Sequence, residues 1–264
     1  MLIFLKLGGS LITDKDNPHT PRPEIIDRLA QEIQAARLQR PEIQIVLGHG
    51  SGSFGHQAAK KYRTRQGVRT PQEWMGFCEV WQEARALNDI VLNSLHLAGL
   101  PVIAFPASAA AVTNQGRVTA WDIAPLAAAL QNNLVPLVFG DVVFDTALGG
   151  TILSTEDIFG YLATFLRPQR ILLAGLEPGV WMDFPIAQRL APRITPDLLP
   201  GIGASLQDSA SVDVTGGMGE KVRAMLVLAQ SIPGLEALIY SGLQPGSTTQ
   251  ALLGGSPGTV IALK

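Results

Sequence analysis

Short apolar runs alternate with longer amphipathic stretches along this chain, and that alternation restricts its fold more than any other feature. Leu2-Ile3-Phe4-Leu5, Ile43 to Leu47, Pro101 to Phe105, Leu134 to Phe139, Ile171 to Ala174, Ala237 to Tyr240 and Thr259 to Leu263 are rich in aliphatic and β-branched residues. Gly, Pro or Asn bounds them, the pattern of strands buried on both faces. Between them, Ile26, Leu29, Ile33 and Ala36 recur at helical spacing, as do Trp74, Phe77, Cys78 and Trp81, and Val222, Met225, Leu226 and Ala229. Parallel neighbours need a crossover, which a helix supplies, so the expected class is α/β with a mainly parallel sheet. Asp141 to Ser154 departs from this order and reads as two short strands around a Gly149-Gly150 turn. A lobe boundary is expected near Arg167-Pro168, dividing residues 1–167 from 168–264 within one continuous sheet, and Pro178 to Pro200 reads as an extended loop.

Composition removes several classes of function. With 20 Lys and Arg against 22 Asp and Glu, the net charge of −2 points neither to a nucleic-acid binder nor to a polybasic membrane patch. The single cysteine, Cys78, excludes an intramolecular disulfide and a cysteine-cluster metal site, and its place in a helical stripe reads as an inert packed thiol. Met1 to Leu7 carries Lys6 and runs straight into glycines, unlike a secretory leader, so a cytoplasmic location is expected. The uncharged stretch Ile90 to Gly116 is broken by Asn93, His96, Gly99, Pro101 and Pro106, and no transmembrane helix is expected.

The chemistry is concentrated in glycine-rich segments at strand and helix ends. In Lys6-Leu7-Gly8-Gly9-Ser10, small residues free backbone N–H groups to surround an anion, and Lys6 adds a positive charge. Gly48-His49-Gly50-Ser51-Gly52-Ser53-Phe54-Gly55-His56 precedes a helix expected over Gln57 to Tyr62 and forms a second such cradle. Gly50, Gly52 and Gly55 satisfy the dinucleotide pattern G-x-G-x-x-G, but the acid at the right distance, Glu73, begins a helical pattern instead of ending a strand. Neither a G-x-S-x-G elbow nor a Walker A loop occurs. In Asp213-Val214-Thr215-Gly216-Gly217-Met218-Gly219-Glu220-Lys221, the lysine enters the first turns of a helix, where a cation is unfavourable unless an anion sits opposite. After Gly140-Asp141 and the hairpin, Ser154-Thr155-Glu156-Asp157 reads as a cap followed by first-turn acids, a sufficient account of Glu156.

As a set, and in order over nearly the whole chain, these segments resemble the amino acid kinase superfamily, and within it the isopentenyl phosphate kinases. Ser53-Phe54-Gly55-His56 is the most discriminating piece. The resemblance implies a three-layer α/β/α sandwich, typically dimeric, with an acceptor-binding N-terminal lobe and a C-terminal lobe for ATP. It implies that Mg²⁺ is carried mainly on the ATP phosphates and that isopentenyl phosphate is the acceptor. It further implies that Lys6, Gly8, Gly9, Ser10, Gly52 and Lys221 approach the ATP phosphates together with Gly216 and Gly217, while Lys15 steadies the transferring phosphoryl group. Ser51, Gly52, His56 and Gly150 would bind the acceptor, and Asp157, with Asp141 as a further member, would hold the active-site lysines in place.

The chemistry of such an acceptor agrees with the residues present. A phosphate monoester has a second pKa of about 6, so its oxygen is anionic near neutrality and needs no general base. Charge cancellation is the requirement, and Lys6, Lys15, Lys221 and the loop amides can supply it. His56 is expected to bind the acceptor phosphate; His19, His49 and His96 are assigned no role. The Trp74, Phe77, Cys78, Trp81 stripe reads as core in preference to the wall of a five-carbon pocket. Alternatives are a fosfomycin-type or carboxylate kinase of the same superfamily, or a non-catalytic nucleotide-binding protein, against which the presence of all three lysines argues.

Overall fold

The computed structural model describes residues 1–199 and 217–264, with His56 described by its backbone only. Its strands are β1 (Leu2–Leu7), β2 (Gln44–His49), β3 (Val102–Ala104), β4 (Ala111–Asn114), β5 (Arg117–Trp121), β6 (Val135–Phe139), β7 (Asp141–Asp145), β8 (Gly149–Leu153), β9 (Arg170–Gly175), β10 (Arg193–Ile194), β11 (Glu236–Ser241) and β12 (Gly258–Ile261). The helices are α1 (Gly9–Ile12), α2 (Pro23–Gln39), α3 (Gly52–Tyr62), α4 (Pro71–Leu97), α5 (Ala124–Gln131), α6 (Thr155–Leu166), α7 (Met218–Ser231) and α8 (Ser247–Leu252). An eight-stranded sheet runs β10-β12-β11-β9-β1-β2-β6-β3 and is parallel except between β11 and β12. The expected α/β/α sandwich is present, and the sheet continues from β9 to β1 across the boundary expected near residue 167.

Strand alternation decides what each face of the sheet meets. Ile3, Leu5 and Leu7 of β1 join one buried cluster with Leu29 and Ile33 of α2 and Leu87 and Val91 of α4. Phe4 faces the opposite way, into a cluster with Phe159 of α6 and Met225 of α7. Phe4 and Phe159 pack with ring centroids 5.0 Å apart and the rings tilted by 52°. Burying each such side chain contributes about 1.5–3 kcal/mol, so both helical layers are held by β1 residues of alternate parity.

A second sheet, in the order β5-β4-β7-β8, lies outside the α/β repeat. The hairpin expected over 141–154 forms as β7 and β8, but its turn is Thr146 to Leu148, with Gly149 and Gly150 already in β8. Asp145 decides this, because its carboxylate accepts from the Ala147 and Leu148 N–H groups at 2.9 and 2.8 Å and so closes the turn locally. Sequence periodicity missed the β4–β5 hairpin, whose exposed positions outnumber its buried ones. The segment expected as loop between Pro178 and Pro200 holds the short strand β10.

Helix α4 begins with a capping box, the Thr70 hydroxyl accepting from the Glu73 N–H while the Glu73 carboxylate accepts from the Thr70 N–H. Its buried face is Phe77, Val80, Ala84, Leu87, Asn88, Val91 and Leu95. That stripe is rotated from the one expected: Cys78 and Trp81 are exposed, so Cys78 is not a packed thiol. The cause is the partner layer, since the β1–β2 surface and the hairpin both lie on the Phe77 side. Among the described residues, no helix is long and apolar enough to cross a membrane.

Candidate active site

Strand β1 has β2 on one side and β9 on the other, so the chain switches direction across the sheet at β1, where the carboxyl ends of neighbouring strands leave a crevice. The glycine segments lie there. Gly8 donates its N–H to the Ala174 carbonyl at 2.8 Å, and Gly50 donates to the Leu7 carbonyl at 3.0 Å. The two loops touch: a Cβ on Gly9 would stand 2.4 Å from the Gly52 nitrogen, which no side chain tolerates. Thr13, fully buried and unremarked in the sequence, braces them, its hydroxyl donating to the Gly9 carbonyl at 2.8 Å and accepting from the Ser53 N–H at 2.9 Å. Helix α3 begins at Gly52, earlier than the Gln57 expected, so the second glycine loop is itself the first turn of a helix.

Lys6 has the same parity as Phe4 and emerges on the α6 side of the sheet. It meets Glu156 in an ion pair, with Glu156 one helical turn before the Phe159 that Phe4 packs on. The pairing expected of Asp157 therefore belongs to Glu156. Asp157 is engaged in the helix cap: its carboxylate accepts from the Ser154 N–H at 2.8 Å, and its N–H donates to the Ser154 hydroxyl at 3.1 Å. With position N3 spent on the cap, the neighbouring N2 side chain is carried about 100° round the helix, toward Lys6. Thr155 anchors this end by donating its hydroxyl to the His49 carbonyl at 2.6 Å. Burial pushes the Glu156 carboxyl up, and the Lys6 charge and hydrogen bond, with Lys221 adding, more than reverse that, so the group lies below the ordinary carboxylate range.

A cavity of about 610 Å³ opens over these groups. Of the residues singled out in the sequence, Lys6, Gly8, Gly9, Ser10, Lys15, Ser51, Gly52 and Lys221 line it. Gly217 caps the start of α7, beside Met218 on the cavity wall, whereas Gly216 lies outside the described residues. His56 belongs to α3, and its side chain is outside the description. Gly150 is buried in β8 against Phe77 and Val68 and does not line the cavity. Asp141, the first residue of β7, is buried; it accepts from the Ser108 and Val142 N–H groups at 3.0 and 2.9 Å, and burial pushes its carboxyl up. No lysine is among those partners.

The cavity has two unlike ends. Gly175 at the end of β9 and Leu176 and Glu177 after it wall one end with Ile239. Ala59 of α3, Val80 and Ala84 of α4 and Ile152 of β8 make an apolar wall at the other. Part of α4 is thus pocket wall, through residues outside the stripe noticed in the sequence. The loop that carries Lys15 is tied to α4 through His19, whose Nδ1 lies 2.8 Å from the Glu83 carboxylate. Among the described residues, no group of three His, Cys, Asp or Glu side chains gathers as a metal cluster.

Comparison with known proteins gives this geometry its context. The model of the amino acid kinase family matches residues 1–240. Over 267 residues the chain is 33% identical to the isopentenyl phosphate kinase of Methanocaldococcus jannaschii, covering 99% of this chain and 98% of the relative. It is 34% identical over 272 residues to that of Haloferax volcanii, with 98% of each covered. A crystal structure of an isopentenyl phosphate kinase superposes with a TM-score of 0.82 at 29% identity, covering 99% of this chain and 100% of the other. The chain belongs to the amino acid kinase family and, within it, to the isopentenyl phosphate kinases.

Proposed function

We propose that the protein transfers the terminal phosphoryl group of ATP onto isopentenyl phosphate, giving isopentenyl diphosphate. The observation that carries this is one continuous cavity lined by Lys6, Lys15 and Lys221 together with two touching glycine loops and an apolar wall of Ala59, Val80, Ala84 and Ile152. Near-full-length similarity to kinases named for this acceptor supports the substrate.

In this reading residues 168–264 take the nucleotide and residues 1–167 the acceptor. The amides of Gly8, Gly9, Ser10 and Gly52 hold phosphate oxygens, while Lys6, Lys15 and Lys221 neutralise the charge that spreads over the transferred group. Mg²⁺ arriving with ATP supplies further charge neutralisation at the nucleotide phosphates. Glu156 keeps Lys6 aimed into the cavity. Ser51 and His56 hold the acceptor phosphate, an assignment that rests on the family resemblance. Ala59, Val80, Ala84 and Ile152 cover the tail and exclude water. The acceptor oxygen is already anionic, so no carboxylate base is required. The same reading places the enzyme in the cytoplasm as a homodimer.

The test is ADP release from MgATP with isopentenyl phosphate, dimethylallyl phosphate, fosfomycin and glutamate offered in parallel, with Lys221→Ala as the blank. Preference for the isoprenoid monophosphates is expected. Turnover with fosfomycin or glutamate alone would displace the substrate and keep the nucleotide site. ATP binding without turnover on any acceptor would overturn the enzymatic reading.

A further inference from the structure

The cavity is lined by Lys6, Lys15, Lys60, Arg63, Arg65 and Lys221 against the acids Glu156 and Glu177, in a chain whose net charge is −2. Three of those cations belong neither to the glycine segments, nor to the loop that carries Lys15, nor to the helix of Lys221. Lys60, Arg63 and Arg65 sit at and just beyond the end of α3, on the part of the wall that also presents Ala59.

A helix C-terminus favours cations through its dipole alone. That accounts for Lys60 and Lys61 equally, yet only Lys60 lines the cavity, while Lys61 turns away to Glu79 at 3.4 Å. The dipole does not account for Arg63. Its backbone is left-handed, at φ 53° and ψ 32°, a conformation that glycine or asparagine adopts at lower cost. What arginine adds at that position is a side chain on the cavity wall.

Residues 63–68 are held in place. The Thr151 hydroxyl donates to the Arg65 carbonyl at 3.0 Å, the Val68 N–H donates to the Leu148 carbonyl at 2.9 Å, and Gly149 lies so close to Val68 that a Cβ there would be 2.0 Å from its carbonyl oxygen. The guanidinium of Arg65 reaches Asp157 at 3.5 Å, with both side chains about two-fifths exposed. Such an exposed pair is worth well under about 1 kcal/mol and exchanges readily for a dianion, which offers shorter charge-assisted hydrogen bonds. Among the described residues, Lys60 and Arg63 form no ion pair.

We propose that Lys60, Arg63 and Arg65 form a capture rim that draws the dianionic acceptor into the apolar end of the cavity and sets its preference over singly charged acceptors. This rests on the phosphomonoester reading above. Charges around a low-dielectric cleft focus the field and raise the encounter rate of an opposite charge by about 10-fold or more, an effect that salt screens. The rim acts on capture and leaves the transfer step to Lys6, Lys15 and Lys221.

The experiment compares wild type with the triple variant Lys60→Met, Arg63→Gln, Arg65→Gln, and with Lys61→Met as a control for charge at the same helix end. kcat/KM for isopentenyl phosphate is measured from low to high ionic strength, with kcat, the KM for ATP and the thermal midpoint recorded alongside. In wild type kcat/KM falls as salt rises. In the triple variant it is about 10-fold lower at low salt and nearly flat with salt, while kcat and the KM for ATP stay within about 2-fold and Lys61→Met behaves as wild type. Wild-type salt dependence in the triple variant overturns the rim. So does an equal loss in Lys61→Met, which assigns the effect to helix-end charge. If wild type acts on a different acceptor the substrate reading fails separately, and the same comparison on that acceptor still decides the rim.

Discussion

Lys6 and Glu156 stand 150 positions apart and meet as a largely buried ion pair where β1 ends beneath the first turn of α6. Two local rules bring them together. Strand alternation puts Lys6 on the face of Phe4, and the capping box spends Asp157, leaving Glu156 to face the sheet. The carboxylate holds an ammonium on the wall of the cavity.

Glu156 and Asp157 therefore respond differently to loss of charge. Glu156→Gln is expected to lower kcat on the order of 100-fold, because Lys6 loses the group that aims it. Asp157→Asn is expected to cost about 1 kcal/mol of stability through the weakened cap, with kcat within about 3-fold of wild type. Steady-state kinetics and urea unfolding on both variants check this, and the reverse pattern would return the positioning role to Asp157.

The contact between the glycine loops makes Gly9 intolerant of even a methyl group. Gly9→Ala places a Cβ 2.4 Å from the Gly52 nitrogen, so the loops must part. Nucleotide binding, measured by calorimetry with ATP, is expected to weaken at least about 10-fold in a variant that still folds, as its circular dichroism would show. Affinity equal to wild type would mean that the two loops do not cradle the nucleotide together.

Ala84 lies on the apolar wall, where under the proposed function added volume would compete with the acceptor's tail. Ala84→Leu is expected to raise the KM for isopentenyl phosphate about 10-fold and leave the KM for ATP unchanged, since a displaced hydrocarbon tail forfeits about 1–3 kcal/mol. An increase in the KM for ATP instead would put the nucleotide at this end of the cavity.

His49 is a buried neutral imidazole at the end of β2, stacked on Phe139 with Nδ1 3.1 Å from the Gly50 carbonyl and Nε2 3.3 Å from Oδ1 of Asn88. Burial lowers its pKa to about 4, against hydrogen bonds that act in the opposite direction. The unfolded chain protonates near pH 6.5 and the folded one near 4, so between those values the unfolded state binds more protons. Stability is then complete above about pH 6.5 and declines as pH falls toward 4. Unfolding free energies measured across that range should show the decline in wild type and a shallower one in His49→Gln; identical slopes would remove His49 as the source.

Much of the site was legible in the residues. Lys6-Leu7-Gly8-Gly9-Ser10, the glycine run from Gly48 and Lys221 each lie next to an apolar run or helical pattern, so their place at element ends follows from local preference, and Lys6, Lys15, Ser51, Gly52 and Lys221 share one cavity. Thr13 was not legible, because a threonine that braces two loops from within looks like any buried threonine until both loops are in place. Cys78 and Trp81 misled for a related reason. Helical spacing fixes which residues share a stripe, and the layer packed against the helix selects which stripe is buried.

The sequence by itself determined the α/β class, the parallel strands and the place of the glycine segments at strand and helix ends, because periodicity and turn chemistry act over a few residues. Only the tertiary structure decided that Glu156 and not Asp157 faces Lys6, that α4 offers Val80 and Ala84 to the cavity, and that Lys60, Arg63 and Arg65 border its apolar end. Those outcomes depend on which way a strand face or a helix turn points once neighbouring layers pack, and that direction is set by contacts between residues far apart in the chain.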